Sequence, residues 1–387
     1  MKKKSCYFQI IFTLFVTILF FSEKNFAQDT TANKHPLTDS TVVIDSSVAP
    51  NTTSVSSAVT LDSAAVSSTP VQDTTPVEKM SAHNHPSIDN GYYTVYPNEF
   101  ILRIYLTSKF APFTISSSTR QDLNYKTNSK LSFGAGFTYK AVTLNFAYGF
   151  KALNPDKGKG ATKGLDLQAH IYPRKWAIDI IGAFVRGYYL SPKDNNGLGL
   201  TDYYQRPDLH RNIVGLSVFR IASPDRFSFR AAFNQKDWQT KSAGSLLYGV
   251  ETYYGFLKAD SAFVPSGAGS NYLQAGINKL NFFSIGPGIG YAYTLVMSKH
   301  FFITGSAVAS ATINASKEVN NGAGKNKVKV IPGGDYKAAF GYNSKTWSVT
   351  ASLQGNALYA ASAASHKEYF LPTGNVNFVV AKKFGAK

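Results

Sequence analysis

The chain has 387 residues, a formal net charge of +17 and a single cysteine. Aromatic residues make up 14% of it and charged residues only 16%, whereas a soluble domain usually carries roughly 25% charged residues. This balance favours a β protein that meets an apolar solvent, and the positive charge raises the question of an anionic partner. Cys6 lies before the apolar stretch of the N-terminus, so the mature chain is expected to have no disulfide or thiol chemistry.

Residues 1–27 have the pattern of a secretory signal peptide. Lysines at positions 2–4 precede an apolar stretch from Phe8 to Phe21, and cleavage is predicted after Ala27. The apolar stretch is shorter than the roughly 20 residues that a spanning helix needs. No other segment reads as a helical span, so any membrane contact must be made by strands.

Residues 28–90 are built mainly from Ser, Thr, Val, Ala, Asp and Pro, and they contain no aromatic residue. Such a segment buries too little apolar area to offset its chain entropy. We therefore predict a disordered tether in the periplasm, followed by one folded domain over residues 91–387.

From Tyr92 onward, apolar and polar residues alternate. In Leu131–Tyr139 the odd-numbered positions are apolar and the even-numbered ones small or polar, and Val142–Phe150, Leu165–Tyr172, Phe227–Asn234 and Trp347–Asn356 repeat the pattern. A period of two gives each strand one apolar and one polar face. By itself this pattern also fits a soluble β-sandwich.

The alternation predicts twelve strands. They are expected at about 99–107, 131–140, 142–151, 163–173, 176–189, 210–222, 225–236, 279–297, 299–313, 328–343, 346–358 and 367–384. The apolar run Ser245–Leu257 then lies in a long outer connection, 237–278. It either folds inward as a plug, with Lys241, Ser242 and Ser245 in it, or adds a hairpin and raises the count to fourteen.

Two features favour a membrane barrel over a sandwich. Aromatic residues collect at strand ends, as in interfacial girdles: Tyr139, Trp176, Tyr188, Tyr189, Tyr293, Phe301, Phe302 and Trp347. Short connections alternate with long polar ones at 152–162, 190–208 and 315–327, as periplasmic turns alternate with outer loops. The prediction is an all-β, closed antiparallel transmembrane barrel in the outer membrane of a Gram-negative cell.

Several stretches support a family comparison: Leu131–Phe150, Gly164–Asp179, Arg186–Leu190, Tyr203–Asp208, Arg226–Ala232, Lys241–Gly249 and Asp260–Pro265. Over roughly residues 95–384 the chain resembles family 4421 of the domains of unknown function, found in Bacteroidetes. The resemblance implies an outer-membrane barrel and supplies no reaction.

The polar faces of the strands place a set of charged and polar residues inside the barrel: Arg103, Asp166, Gln168, His170, Asp179, Arg230, Asp335 and Lys337. Buried charges of both signs usually pair, because an unpaired one is costly. These residues form either a proton relay or ligand site, or a salt-bridge network that fills a small barrel.

Catalysis would need a nucleophile, and Ser242 or Ser245 with His170 or His210 as base is the candidate arrangement. The segment around the serines has no G-x-S-x-G elbow, and loop composition alone also explains them. No catalytic residue, metal site or cofactor is predicted.

The charge balance suggests a partner. Outer-loop lysines could meet lipid phosphates, including those of lipopolysaccharide, or form only a solvated rim: Lys157, Lys159, Lys163, Lys193, Lys317, Lys325 and Lys327. The barrel-assembly machinery is a further expected partner, because the last strand carries Phe378, Val380 and Phe384 outward. No nucleic-acid-binding pattern is found.

Three functions remain open. The first is a non-enzymatic channel, pore or scaffold with a polar, charged interior. The second is an outer-membrane hydrolase acting on lipid or peptide at the barrel mouth. The third is a surface interaction protein that works through loops 190–208 and 237–278.

Overall fold

A computed structural model describes residues 41–46, 88–96, 100–117, 122–139, 142–154, 157–194, 198–320 and 322–384. The predicted signal peptide and most of the predicted tether lie outside these ranges. In the described part the chain is all-β, with helix confined to two 3-10 turns, Lys151–Leu153 and Ser266–Asn271, and a π-helix, Arg230–Asn234. No helix in this part is long and apolar enough to cross a bilayer.

Alternating apolar and polar residues account for the strands, since each long strand has one face outward and one inward. In chain order the strands are β1 (Thr41–Ser46), β2 (Ile88–Asp89), β3 (Tyr93–Val95), β4 (Phe100–Phe110), β5 (Phe113–Ile115), β6 (Leu123–Tyr125), β7 (Leu131–Tyr139), β8 (Val142–Tyr148), β9 (Lys163–Ile171), β10 (Trp176–Leu190), β11 (Tyr204–Ile221), β12 (Asp237–Gln239), β13 (Ala243–Lys258), β14 (Ile277–Met297), β15 (Phe301–Asn320), β16 (Ala323–Asn343), β17 (Trp347–Ala357), β18 (Tyr359–Ala360), β19 (Tyr369–Phe370) and β20 (Thr373–Phe384).

Twelve long strands form one antiparallel series, in the order β8-β7-β4-β20-β17-β16-β15-β14-β13-β11-β10-β9. The series curls strongly. Lys337 on β16 and Asp179 on β10 are five strands apart, which in a flat sheet is about 24 Å, yet their side chains meet at 2.5 Å. One face of the sheet is therefore enclosed and the other faces outward.

The two ends of this series, β8 and β9, are not paired with each other. β1 lies between them, antiparallel to β8 over six residue pairs and joined to β9 through one pair, Val43 and Gln168. β1 falls within the segment predicted to be disordered, and there the structure differs from the prediction. Its Val-Val-Ile run favours extended backbone, and the two strand edges offer it unpaired hydrogen-bonding groups.

The end of the sheet at which β4 begins and β20 ends is called the base, and the opposite end is called the rim. Residues 222–242, called the base insert, connect β11 to β13 and fold into the enclosed side. The rim is covered by three segments, whose described residues are together called the rim cap: 111–117 with 122–127, 259–276 and 358–372.

The predictions for two segments need correction. Residues 225–236, predicted as a strand, form part of the base insert and contain the π-helix. The run Ser245–Leu257, predicted as a plug or an added hairpin, is the wall strand β13. A wall strand has its apolar face outward, as β13 does with the exposed residues Leu246, Tyr248 and Val250. In 225–236 the apolar residues Phe227 and Phe229 are buried instead.

The predictions for two outer connections also need correction. The predicted connection 237–278 is divided between the base insert, β13 and the rim cap. Residues 315–327, predicted as a long loop, are mostly strand, because β15 and β16 continue to a short turn after Asn320.

Candidate functional site

The enclosed face carries a charged network at mid-height. The Asp179 carboxylate on β10 accepts from Lys337 Nζ at 2.5 Å, and His170 Nδ1 lies 2.6 Å from its other oxygen. The Tyr172 hydroxyl donates to the same oxygen at 3.0 Å. Lys337 also lies 5.9 Å from the ring centres of Tyr172 and Phe229. Asp179 is thus a buried carboxylate with three donors, which offsets its loss of hydration.

A second group of polar side chains adjoins the first. Asp335, two residues before Lys337 on β16, accepts hydrogen bonds from Asn356 and, at 3.4 Å, from the Tyr253 hydroxyl. Ser310 donates to the nearby Glu251. One oxygen of Asp335 and one of Glu251 are buried without a protein partner, which is costly for a carboxyl group.

The cavity beside this network is small. A space of about 20 Å³ is lined by His170, Asp179, Asp335, Lys337 and Asn356, among others. A volume of this size accommodates about one water molecule and no organic ligand. In the described residues, no three His, Cys, Asp or Glu side chains converge as metal ligands would.

The other predicted interior residues have different positions. Arg103 on β4 is buried and donates to Thr138 at 2.6 Å and to the Asn234 carbonyl at 3.4 Å. Arg230 is not on a strand of the sheet but on the π-helix, where it forms a bidentate ion pair with Asp237. Asp166 and Gln168 lie on β9, and their side chains are outside the described part of the structure.

The predicted nucleophiles and bases are far apart. His210 is opposite Lys258 on β13, and Ser245 lies thirteen residues before Lys258, or about 43 Å along the strand. His170 lies across the sheet from Glu251, six residues or about 20 Å beyond Ser245.

Both serines instead have local structural partners. The Ser242 hydroxyl accepts from the Val296 amide at 2.9 Å. Ser245 accepts from the Ser223 amide and donates to the Leu246 carbonyl. The catalytic arrangement considered from the sequence is therefore not assembled.

The base insert fills the interior below the charged network. Phe227 and Phe229 pack with Tyr172 and Phe219 in one buried cluster. Asn343 of the wall donates to the carbonyls of Ala231 and Asp237, at 3.3 and 2.9 Å. β12 of the insert also pairs with β3, so residues 88–95 are bound at the base.

The rim cap fills the opposite end. Its four-stranded sheet, β18-β19-β5-β6, covers a buried cluster that includes Phe113, Tyr125, Phe263, Tyr369 and Leu371.

Two charged residues that sequence analysis missed hold the rim cap. Arg211 is fully buried and donates to the carbonyls of Pro112, Leu371 and Pro372 and to Thr373 Oγ1. Glu318 accepts from Ser362, Tyr369 and the amides of Ala363 and Ala364. Their inward position on long alternating strands was a usable signal, but their partners lie in irregular segments without any pattern.

A model of the family described as "Domain of unknown function (DUF4421)" matches residues 87–384. The chain belongs to this family. A search of curated proteins finds no match.

Three solved structures are similar to the chain at low identity. The outer membrane protease OmpT from Escherichia coli is 11% identical with a TM-score of 0.30, over 76% of this chain and 98% of that one. Neisserial surface protein A is 12% identical with a TM-score of 0.20, over 74% and 97%. The Pseudomonas putida toluene transporter TodX is 6% identical with a TM-score of 0.23, over 75% and 90%. At these TM-scores the likenesses carry no argument about the function of this chain.

Proposed function

We propose that this member of the DUF4421 family is a twelve-stranded outer-membrane β-barrel, closed at the seam between β8 and β9 with the help of β1, and that it acts as a non-enzymatic scaffold. The base, where short turns such as 172–175 and 298–300 join the wall strands, faces the periplasm, and the rim faces outward. The observation that carries the scaffold proposal is the filling of the interior from both ends, by the base insert and by the rim cap.

The outward face of the sheet supports membrane insertion. Along β14 the residues Phe283, Ile285, Ile289, Tyr291, Tyr293 and Leu295 are all exposed, and the residues between them are mostly inward. Trp176, Phe301 and Trp347 are exposed near the base, as in an interfacial girdle, whereas the predicted girdle residues Tyr188, Tyr189 and Phe302 are buried. Exposure of so large an apolar belt to water would be unfavourable, whereas exposure to lipid would not be.

A charged substitution within the belt tests whether lipid contacts it. Ile289 lies at the middle of the belt on β14 and is 59% exposed. We expect Ile289→Arg to lower the free energy of unfolding in bilayers by about 2–4 kcal/mol. Leu273 is the matched control: it is 57% exposed but lies in the rim cap, outside the strands that form the belt, so Leu273→Arg should change stability little. Equal effects at both positions, or a mature chain found in the soluble fraction, would reject the membrane proposal.

Conductance tests the scaffold proposal. An open pore needs a continuous water path, and here the base insert, the charged network and the rim cap lie in series. We expect the mature chain to insert into planar bilayers without steady conductance steps. Steady ion conduction by the wild-type chain would show that it is a channel. Labelling by an active-site serine reagent, lost in Ser242→Ala or Ser245→Ala, would instead favour the hydrolase.

A further inference from the structure

Four lysines from three separate connections converge on one side of the rim. Lys126 follows β6, Lys157 and Lys159 lie between β8 and β9, and Lys193 lies between β10 and β11. This group is called the lysine cluster. The sequence predicted rim lysines in general; the structure shows which of them lie together and adds Lys126.

Aromatic rings hold one member of the cluster in place. Lys159 Nζ lies 5.5 Å from the ring centre of Tyr189 and 5.8 Å from that of Tyr203. The two rings pack edge to face at 5.3 Å, and the Lys126 backbone pairs with Tyr189. Through these contacts, Lys159 and Lys126 both lie beside the same residue, Tyr189.

The charge of the cluster is not balanced. Lys126 pairs with Asp194 at 2.7 Å, and in the described part of the chain the other three lysines make no ion pair with a carboxylate. Partial burial, followed by repulsion from Lys157, Lys126 and Lys193, lowers the pKa of Lys159. Bringing like charges together is unfavourable, and an anion would relieve the cost.

We propose that the lysine cluster binds a phosphate group, carried by a lipid headgroup of the outer leaflet or present as free phosphate. Lysine ammonium groups bind phosphate as point charges and need no fixed geometry, which suits side chains from three loops. Juxtamembrane lysine clusters recognise anionic headgroups for the same reason. The lipid form of the proposal rests on the proposed membrane location, whereas the phosphate chemistry does not.

Binding to the detergent-solubilised mature chain tests this. The titrants are lipid A with its phosphates, lipid A with its phosphates removed, and inorganic phosphate. The test variant is Lys157→Gln/Lys159→Gln. The matched control is Lys325→Gln/Lys327→Gln, which removes the same charge from exposed rim positions on β16. A heat-dependent gel shift checks that both variants fold.

We expect the test variant to weaken binding of phosphorylated lipid A by about 25-fold, or about fivefold per lysine, and the control to change it less than about twofold. Competition by inorganic phosphate would support recognition of the free ion, and its failure to compete would support the headgroup as ligand. Equal losses in both variants, or equal affinity for lipid A without phosphates, would overturn the proposal. Fractionation of cells tests the membrane location separately.

Discussion

The base insert and the rim cap close the same interior by different means. The base insert is one continuous segment, and it fills space with aromatic rings: Phe229 packs against Phe227 at 4.9 Å and Tyr172 at 5.4 Å. The rim cap is assembled from three segments far apart in sequence. Arg211 donates to the first and the third of them, and Glu318 binds the third to the wall. Both ends bury aromatic rings, and in the rim cap, whose buried cluster includes Phe113, Tyr125 and Phe263, hydrogen bonds from buried charged side chains to the backbone also hold the segments.

This difference follows from what each segment offers. A single connection with several phenylalanines can bury its own apolar area, whereas loops without periodicity leave backbone carbonyls and amides that need partners when buried. A buried guanidinium or carboxylate supplies several such bonds at once.

The largest expected effect is at the base. Phe229→Ala removes the ring at the centre of the buried aromatic cluster and leaves a cavity. We expect the free energy of unfolding, measured in detergent with urea, to fall by about 4 kcal/mol. Cleavage by an added protease should rise in residues 222–242 and not in the rim cap. A loss below about 1 kcal/mol would show that the insert does not depend on this packing.

The next effect is at the rim. Arg211→Leu leaves the carbonyls of Pro112, Leu371 and Pro372 buried without a donor, so we expect a loss of about 3 kcal/mol. Protease cleavage should then appear within 358–372. Arg186→Leu is the matched control, because exposed Arg186 makes one bond, to the Pro207 carbonyl at 3.0 Å. If both variants lose the same stability, Arg211 does not organise the cap.

A smaller effect concerns the ion pair within the base insert. Asp237 is buried and accepts from Arg230 at 3.0 and 2.9 Å and from Ser228 at 2.6 Å. Asp237→Ala should cost about 2 kcal/mol, since it leaves the Arg230 charge unpaired. The cycle with Arg230→Ala should give a coupling energy of about 1–3 kcal/mol. Strictly additive losses would mean that aromatic packing alone fixes the insert.

The smallest effect is at the contact between the insert and a base turn. Trp238 Nε1 donates to the Lys299 carbonyl at 2.9 Å and its ring stacks on His300 at 5.1 Å. Ser298 and Lys299 both have positive φ, of 51° and 64°, which non-glycine residues adopt at a cost. Trp238→Phe keeps the stacking and loses the bond, so about 1 kcal/mol is expected. An unchanged urea midpoint would show that the turn holds its conformation without Trp238.

Much of the fold was predictable from residues alone, because period-two alternation reports the environment of each face. The long strands β7, β10, β14 and β17 lie where alternation placed them, within a few residues. The interior positions of His170, Asp179, Asp335 and Lys337 followed from the same parity. The prediction failed at 225–236, where the sequence alternates as in a strand but the chain lies on the enclosed side of the sheet, with Phe227 and Phe229 buried.

The site was predictable only in part. Sequence parity placed Lys337 and Asp179 on the enclosed face, but not in contact, since their strands are five apart in the sheet. It considered Ser242 or Ser245 beside His170 or His210, and strand register separates the serines from both histidines. It missed Arg211 and Glu318, because many of their partners are backbone atoms of segments that no side-chain pattern marks.

The sequence by itself determined that this protein is built of antiparallel strands with one apolar and one polar face, because that property belongs to neighbouring residues along one strand. Only the tertiary structure decided which alternating segment joins the wall, which one fills the interior, and which charges meet across it. Those outcomes depend on strand order and curvature, and these arise from contacts between residues that are remote in the chain.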